Sequence, residues 1–284
     1  MKHYYRPIPM IDPARPKQAR PIAGGWCWFD RAERITRGGQ SKLIGIEDIP
    51  ADILEKISAP RVPMAGLSFD RPRLMGILNV TPDSFSDGGR FDTPEAARQQ
   101  ARALIGQGAD ILDIGGESTR PGADDVPEQQ EIARTAPVIK GIRDEISAPI
   151  SIDTRKSAVA KAALAAGADM INDVSGFVHD PALAQLTAAH DSPVCLMHAQ
   201  GAPKTMQNAP HYEDVLLDVY DFLAERIRIA NRAGIPNTRI MIDPGIGFGK
   251  TLEHNLILLR HLSLFHALGC VILLGVSRKC VCMI

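Results

Sequence analysis

The sequence lacks a long apolar segment and an excess of either charge, and each absence excludes a class of protein. The apolar run near its end, Val271–Leu274, is far shorter than the roughly 20 residues of a membrane-spanning helix, so no membrane insertion is expected. Lys and Arg number 32 against 33 Asp and Glu, a formal net charge of −1. Without a basic field, binding to nucleic acid is not expected, and an anionic ligand must be held by local groups.

Cysteine is also sparse. The five cysteines are an odd number without regular spacing, which indicates reduced thiols rather than a disulfide framework. Neither the cysteines nor the histidines show the spacing of a zinc site. The opening residues Met1–Pro7 contain charge and proline where a secretory signal needs an apolar segment, so a cytoplasmic location is expected.

The composition predicts one large domain with an appendage, because 284 residues that are 45% hydrophobic and 23% charged are typical of a globular chain. Residues 1–65 are rich in proline, with short aromatic alternation around Trp28, and predict an N-terminal extension of short strands. Pro50–Ile57 has helical apolar spacing and predicts one helix in it. Residues 66–284 form the second predicted unit, an α/β domain.

From Arg73 onward, short β-rich runs alternate with alanine-rich helical stretches, which is typical of βα units and a parallel sheet. A chain of this length and pattern forms either a TIM (β/α)8-type barrel or a doubly wound sheet. The predicted strands are Leu74–Val80, Ile111–Gly115, Ile150–Thr154, Met170–Val174, Val194–His198, Ile240–Pro244 and Val271–Val276. The predicted helices are Pro94–Gln107, Ser157–Ala166, Pro181–His190, Tyr212–Ala233 and Leu252–Ala267.

Polar residues terminate nearly every predicted strand. This favours the barrel, because barrel enzymes collect their chemistry at the carboxyl ends of the strands. Helix capping by Asp or Asn explains any one of these residues, but not seven positions in register. The strand-end residues are Asn79, Asp113, Asp153, Asn172, Asp173, His198, Asp243 and Ser277–Lys279.

The loops after the first two strands are suited to a metal ion and a phosphate. Residues 79–89 are rich in oxygen donors and glycine, and the amide oxygen of Asn79 with ligand oxygens would be ordinary Mg²⁺ coordination. Residues 115–122 combine backbone donors with Arg120, whose planar guanidinium matches phosphate oxygens. The sequence therefore predicts Mg²⁺ and an anionic ligand.

The loop after the sixth strand, Asp243–Thr251, resembles a phosphate-binding loop but has Pro244 where that motif needs glycine. Its glycines would instead let the backbone approach a flat ligand, with Phe248 as an aromatic wall.

Two carboxylates and an amide are predicted to point into one rim. Asp153, Asn172 and Asp243 could bind a ring that presents amino and ring N–H donors, or the carboxylates could form an acid–base pair, and spacing does not decide between these. Ser277–Lys279 brings two cations to the same rim, or is a solvated basic tail.

Taken together and in their order, seven motifs resemble those of dihydropteroate synthase. The resemblance covers residues from about 70 to 279 and implies that family's barrel. The motifs are Leu78–Gly88, Asp113–Gly122, Ser151–Thr154, Asn172–Ser175, Leu196–His198, Asp243–Lys250 and Ser277–Lys279.

The resemblance implies a transferase of folate biosynthesis. In this family 4-aminobenzoate condenses with 6-hydroxymethyl-7,8-dihydropterin diphosphate to give 7,8-dihydropteroate and pyrophosphate, and sulfonamides compete for the aminobenzoate site. Carried onto this sequence, Asn79 would face Mg²⁺ and the diphosphate, and Lys279 and Arg120 would be catalytic. The implied substrate-binding residues are Thr119, Pro121, Asp153, Asn172, Val174, Met197, Asp243, Phe248, Gly275, Ser277, Arg278 and Lys279.

The resemblance implies a different role for each group of these residues. The pterin would be held by Asp153, Asn172, Asp243 and Lys279, with Val174, Met197 and Gly275 packing nearby. Thr119, Arg120 and Pro121 would belong to a loop over the site. The aminobenzoate pocket would be lined by Phe248, Ser277, Arg278 and Lys279.

The sequence departs from the family at its end. Only Cys280–Ile284 follows Lys279, where the family continues through an eighth strand that carries an Arg-x-His pair. We therefore expect a C-terminally incomplete barrel with seven of the eight strands, an incomplete grip on the diphosphate and doubtful activity. A frameshift or early stop would explain the cysteine-containing tail.

Two other functions stay open at this point. One is a pterin-binding methyltransferase domain, which shares the barrel but not the motifs around Thr81 and Ser277. The other is a catalytically dead pterin-binding remnant. Family members commonly form homodimers, and the helices that flank the family's eighth strand could belong to that interface.

Overall fold

The computed structural model describes residues 2–80, 94–118, 125–201 and 210–276. Its N-terminal part contains the short strands and the helix expected there. Strands β1, β4 and β5 form an antiparallel sheet in the order β1-β4-β5, and β2 pairs with β3; their bounds are β1 (His3–Pro7), β2 (Arg20–Pro21), β3 (Trp28–Phe29), β4 (Arg31–Thr36) and β5 (Lys42–Gly45). A 3-10 turn, Ile46–Asp48, and helix α1 (Ala51–Ser58) follow.

All seven predicted barrel strands are present. They form one parallel sheet in which each strand pairs with the next along the chain. The sheet curls as an open barrel with helices on its outer side, so the α/β barrel prediction is confirmed. The strands are β6 (Met75–Asn79), β7 (Ile111–Gly115), β8 (Ile150–Asp153), β9 (Met170–Asp173), β10 (Val194–Met197), β11 (Ile240–Asp243) and β12 (Val271–Ile272).

The helices between the strands differ in places from the prediction. The sequence reading missed α3, which contains Pro137 inside the helix. The predicted Leu252–Ala267 helix is two elements, because α7 ends at Arg260 and a 3-10 helix, Leu262–Leu268, follows. The helices are α2 (Pro94–Gly106), α3 (Glu128–Arg143), α4 (Ser157–Ala165), α5 (Ala182–Ala189), α6 (Val215–Arg232) and α7 (Leu252–Arg260), with a 3-10 turn at Asn237–Arg239.

Local capping sets the start of the last two α-helices. The Asp214 side chain accepts a hydrogen bond from the backbone N–H of Leu217, so α6 begins at Val215 rather than at the predicted Tyr212. At α7, Thr251 and His254 exchange side-chain and backbone hydrogen bonds in a capping box. This cap fixes where the loop after β11 ends.

The two faces of the sheet carry different side chains, because successive residues of a strand point to opposite faces. One alternate set of residues, including Leu112, Ile152 and Ile242, joins the main core under the helices. The other set begins with a smaller apolar cluster at the amino ends of the strands, including Ile111 and Met170. Farther along, the same inner positions become polar, and the candidate site lies there.

The N-terminal extension packs on the barrel. Strand β1 and helix α1 contact the 3-10 helix Leu262–Leu268, and Ser263 Oγ donates to the Pro7 carbonyl at 2.8 Å. Phe29 and Ile57 are fully buried in the main core. The division at residues 65 and 66 into two domains stays a prediction.

The first and last strands of the sheet are its edges. In the described part of the chain, β6 pairs only with β7, and β12 only with β11. Three large apolar side chains near these edges are exposed, namely Leu74, Ile77 and Val276. None of the helices described above has the length and apolarity needed to cross a bilayer.

Candidate active site

Four predicted strand-end positions lie level with one another in the sheet. Asn79 is in register with Gly115, Gly115 with Asp153, and Asp153 with Asn172. We call these four residues the polar layer. The layer lies on the inner face of the sheet. Asn172 is two residues from Met170, and Gly115 is four residues from Ile111; Met170 and Ile111 belong to the inner apolar cluster, and residues an even number of positions apart in a strand share a face.

Gly115 leaves space in the middle of the polar layer. A Cβ atom at this position would lie 3.4 Å from Asp153 Oδ2 and 3.5 Å from Asn79 Oδ1. An amide oxygen and a carboxylate oxygen therefore border one small gap. Strand pairing thus brings together Asn79 and Asp153, which are 74 positions apart in the chain.

Asp113 lies on the same inner face, one inward position below Gly115. Asn172 Nδ2 donates to Asp113 Oδ2 at 3.0 Å, and both side chains are buried. Burial raises the pKa of Asp113 despite this hydrogen bond. The other carboxylate oxygen of Asp113, Oδ1, has no hydrogen-bond partner among the described residues.

Asp153 has a similar shortage of partners. Its Oδ1 atom is buried and accepts no hydrogen bond from the described residues. Burial, reinforced by the neighbouring Asp113 carboxylate, raises the pKa of Asp153 well above its usual range. A ligand that donates hydrogen bonds to Asp153 would relieve both conditions.

Asp243 ends β11 and is held by the loop that follows it. Its Oδ1 accepts a 2.7 Å hydrogen bond from the backbone N–H of Gly245, and the Gly275 N–H also donates to it. Burial raises the pKa of Asp243 to about 6. Asp173, in contrast, accepts from the backbone N–H groups of Ser175 and Phe177, so capping of the turn accounts for it.

Apolar residues complete the described part of the site. Val174 and Met197 are buried after β9 and at the end of β10, and Phe248 is half-buried in the loop after β11. Gly275 is exposed, and a Cβ there would lie 3.6 Å from Asp243 Oδ2. The remaining predicted residues lie outside the described ranges: Thr119, Arg120, Pro121, Ser277, Arg278 and Lys279.

Sequence reasoning assigned no role to Lys250, which is buried beside this site. Its Nζ atom lies 2.9 Å from His198 Nδ1, and 2.7 and 3.0 Å from the carbonyl oxygens of Gly245 and Phe248. Burial lowers the pKa of Lys250 to about 7. Burial and the Lys250 charge lower the pKa of His198 to about 2, so its ring is neutral. A lysine is rarely buried, and its contacts depend on loops that the sequence does not place.

A second buried charge cluster was also missed. The Lys156 ammonium contacts the carboxylates of Glu117 and Glu131, and Arg155 Nη2 lies 2.5 Å from Glu117 Oε1. Lys156 Nζ also donates to the Val126 carbonyl at 2.7 Å. The cations lie two and three residues after the end of β8, and Glu117 lies two residues after the end of β7. The only sequence signal was a pair of cations just after a predicted strand.

Mg²⁺ was predicted from the loop that begins at Asn79, and the polar layer is compatible with it. The gap at Gly115 is bordered by the amide oxygen of Asn79 and the Oδ2 carboxylate oxygen of Asp153. Within the described ranges there is no group of three or more His, Cys, Asp or Glu that could hold a metal. Mg²⁺ commonly keeps several waters and substrate phosphates as ligands, so one or two protein oxygens fit it.

A curled parallel sheet with polar side chains at the carboxyl ends of its strands is the arrangement of a TIM-barrel enzyme, whose active site lies at that end of the barrel. The family model described as "Pterin binding enzyme" matches residues 75–283. The chain therefore belongs to the pterin binding enzymes.

The proteins to which this chain is similar include dihydropteroate synthases. The enzyme of Synechocystis sp. is 46% identical over 231 residues, which are 80% of each chain. The Xanthomonas albilineans enzyme solved with 4-aminobenzoic acid is 50% identical, with a TM-score of 0.71 over 77% of this chain and 78% of that one. A structure of the same enzyme with 7,8-dihydropteroate is 47% identical, with a TM-score of 0.69 over 78% and 79%.

The Yersinia pestis enzyme solved with a sulfonamide drug complex is 44% identical, with a TM-score of 0.72 over 77% of this chain and 80% of that one. These similarities confirm the resemblance to dihydropteroate synthase and the assignment of the chain to the transferases.

Proposed function

We propose that this chain condenses 4-aminobenzoate with 6-hydroxymethyl-7,8-dihydropterin diphosphate, giving 7,8-dihydropteroate and pyrophosphate in folate biosynthesis. The polar layer is the observation that carries the proposal. It puts the oxygens of Asp153 and Asn172 on a buried inner face, with Asp113 behind them. A pterin presents amino and ring N–H donors along one edge, and a carboxylate can accept two parallel hydrogen bonds from such an edge.

The pterin would supply the donors that this site lacks. Asp153 Oδ1 has no partner among the described residues, and a buried acceptor without a donor costs about 1–3 kcal/mol. Asn172 would accept through its amide oxygen, because its Nδ2 is already directed to Asp113. Val174 and Met197 would cover the faces of the ring. The acid–base alternative for the carboxylates is not needed for this reaction.

The reaction replaces one bond of the pterin methylene carbon with another. The amine nitrogen of 4-aminobenzoate forms a C–N bond while the C–O bond to the diphosphate breaks, and pyrophosphate leaves with that electron pair. The amine then releases a proton to solvent. Phe248 would orient the aminobenzoate ring, so that the protein contributes mainly by positioning the two reactants.

Charge on the leaving group would be balanced by cations and metal. Arg120 is proposed to stabilise the diphosphate as it departs, and Lys279 to hold the pterin and line the aminobenzoate pocket. Asn79 would hold Mg²⁺, which when bound neutralises charge on the diphosphate. We further propose a cytoplasmic location, where the substrates of folate synthesis would be available.

The test is formation of dihydropteroate and pyrophosphate by the purified 284-residue chain with Mg²⁺ and both substrates. We expect turnover that is abolished in Asp153→Asn and retained in Asp52→Asn, which changes an exposed carboxylate on α1. A sulfonamide should inhibit in competition with 4-aminobenzoate. Folded protein that makes no product, or that instead transfers methyl groups from methyltetrahydrofolate, would refute the proposal.

A further inference from the structure

The loop after β11 is tied to the loop after β10 by one buried ammonium group. Lys250 is 4% exposed, and its Nζ donates to the carbonyls of Gly245, Phe248 and His198, the last at 3.3 Å. The fourth neighbour is His198 Nδ1 at 2.9 Å. No carboxylate in the described ranges forms an ion pair with Lys250. Backbone dipoles and a neutral ring therefore surround the charge.

The two loops approach each other too closely for a side chain. Gly245 has φ of +67°, and a Cβ there would lie 1.9 Å from the His198 carbonyl oxygen. This backbone geometry is available to glycine and places the carbonyls of both loops around one point. Without the ammonium, the His198 and Phe248 carbonyls would lose this donor, whereas the Gly245 carbonyl would keep the Phe248 N–H at 3.2 Å.

His198 connects this arrangement to the polar end of β11. Its backbone N–H donates to the Asp243 carbonyl at 3.0 Å. Its ring packs edge-on against Phe222, with the centroids 4.8 Å apart. The ring is thus fixed, and its Nδ1 accepts from Lys250 only if the neutral ring carries its proton on Nε2.

Burying an ammonium is unfavourable, and an apolar side chain of the same length would fill the same space. What the charge adds is a set of hydrogen bonds that orients the segment between Asp243 and Lys250. That segment starts with a residue proposed to hold the pterin and contains Phe248, proposed to orient the aminobenzoate.

We propose that Lys250 is a positioning residue, which fixes the loop after β11 so that Asp243 and Phe248 meet the two substrates in the reactive geometry. This inference rests on the proposed function of the same site. It predicts that loss of the ammonium raises KM for both substrates, because Asp243 and Phe248 lie on the same loop and Lys250 holds that loop in place.

Lys250→Met tests this, since it keeps the length of the side chain and removes the charge. We expect KM for each substrate to rise at least tenfold, with a smaller change in kcat. Lys161→Met is the matched control, because Lys161 is exposed on α4, and its kinetic constants should equal those of the unaltered chain. A lower kcat with both KM values unchanged would mean that Lys250 only sustains the folded fraction, and would overturn the proposal.

His198→Phe is the second variant, which retains the ring packing and removes one acceptor of the ammonium. It should shift both KM values in the same direction by less. If Lys250→Met does not fold, unchanged KM values in His198→Phe overturn the proposal.

A binding measurement separates this proposal from the proposed function. Calorimetry with 6-hydroxymethyl-7,8-dihydropterin should show weaker binding by Lys250→Met than by the unaltered chain, whether or not the latter turns over. An unaltered chain that binds pterin without making product would refute the proposed function and leave the Lys250 comparison decisive. An unaltered chain that binds no pterin would refute both.

Discussion

Asn172 Nδ2, on the inner face of β9, lies 3.0 Å from Asp113 Oδ2 on the inner face of β7, although β8 separates these two strands in the sheet. This contact decides which way the Asn172 amide faces, because a carboxylate can accept the hydrogen bond only from the NH₂ group. The amide oxygen is thereby left for a donor on the ligand. If the pterin binds here as proposed, Asp113 would act on it through Asn172.

Asp113→Asn should weaken pterin binding about tenfold, or by roughly 1–1.5 kcal/mol, because the new amide no longer fixes the orientation of Asn172. Calorimetry would measure the affinity. Asp110→Asn is the control, since Asp110 precedes the same strand at the opposite end of the barrel, where it pairs with Arg71 and Arg73. Equal affinities for the Asp113 variant and the unaltered chain would contradict the prediction.

Asp243→Asn should stabilise the fold at neutral and alkaline pH while it impairs pterin binding. Burial raises the pKa of Asp243 to about 6, above the ordinary value of about 3.9 in an unfolded chain. The unfolded state therefore loses its proton first, and ionisation reduces stability progressively between about pH 4 and pH 6. Above that range the cost is about 3 kcal/mol at 1.36 kcal/mol for each pKa unit.

The asparagine cannot ionise and keeps an acceptor for the Gly245 N–H. Denaturant unfolding should show little difference between the two chains at pH 4 and a clear advantage for Asp243→Asn at pH 8. If Asp243→Asn were more stable than the unaltered chain by the same amount at both pH values, ionisation of Asp243 would not be the cause of the difference.

Gly115→Ala should affect magnesium dependence and Gly116→Ala should affect stability, although the two positions are adjacent. A Cβ at Gly115 makes ordinary contacts with Asp153 and Asn79, so the free energy of unfolding should change by less than about 1 kcal/mol. The methyl group would occupy the gap in the polar layer, so the Mg²⁺ concentration for half-maximal turnover should rise.

At Gly116 a Cβ would lie 2.7 Å from Thr135 Cγ2 in α3, so Gly116→Ala should destabilise the fold by about 1–3 kcal/mol. Thermal unfolding and a magnesium titration distinguish the two variants. A Gly115→Ala chain with an unaltered magnesium dependence would argue against a metal at the polar layer.

Lys156→Met should destabilise the protein by about 3–5 kcal/mol, because it leaves the buried carboxylates of Glu117 and Glu131 without their shared cation. Lys140→Met changes an exposed lysine on α3 and should alter stability by less than about 0.5 kcal/mol. Denaturant unfolding at pH 7 compares the two. If Lys156→Met lost no more free energy of unfolding than Lys140→Met, the carboxylates of Glu117 and Glu131 would have become protonated with little loss of stability, which would contradict the prediction.

Much of the fold could be predicted because its signals are local. Each barrel strand is a short run of β-branched and aliphatic residues, and the seven strands were found within a few residues of their bounds. The missed helix, α3, contains Pro137, which removes one helical hydrogen bond and reads as a break. The sequence reading also missed the division of Leu252–Ala267, where the 3-10 helix after Arg260 packs against β1 and α1 from the other end of the chain.

The candidate site was predicted in its types of residue but not in its connections. Asp153, Asn172 and Asp243 were identified because polar residues at strand ends meet in a parallel barrel. Their partners, Asp113 for Asn172 and Gly245 for Asp243, depend on register and on the path of a loop. Lys250 and Lys156 were overlooked because lysine is ordinarily exposed.

The sequence by itself determined the seven strands, the alternation that separates the inner from the outer face, and the polar residues at the strand ends. These follow from periodicity, which a chain carries whatever it packs against. Only the tertiary structure decided that Asn79 and Asp153 border one gap and that Asp153 Oδ1 has no hydrogen-bond partner among the described residues. It also decided that the Lys250 ammonium connects the loops after β10 and β11. Such properties arise from burial and from contacts between residues far apart in the chain, so they exist only once the sheet has formed.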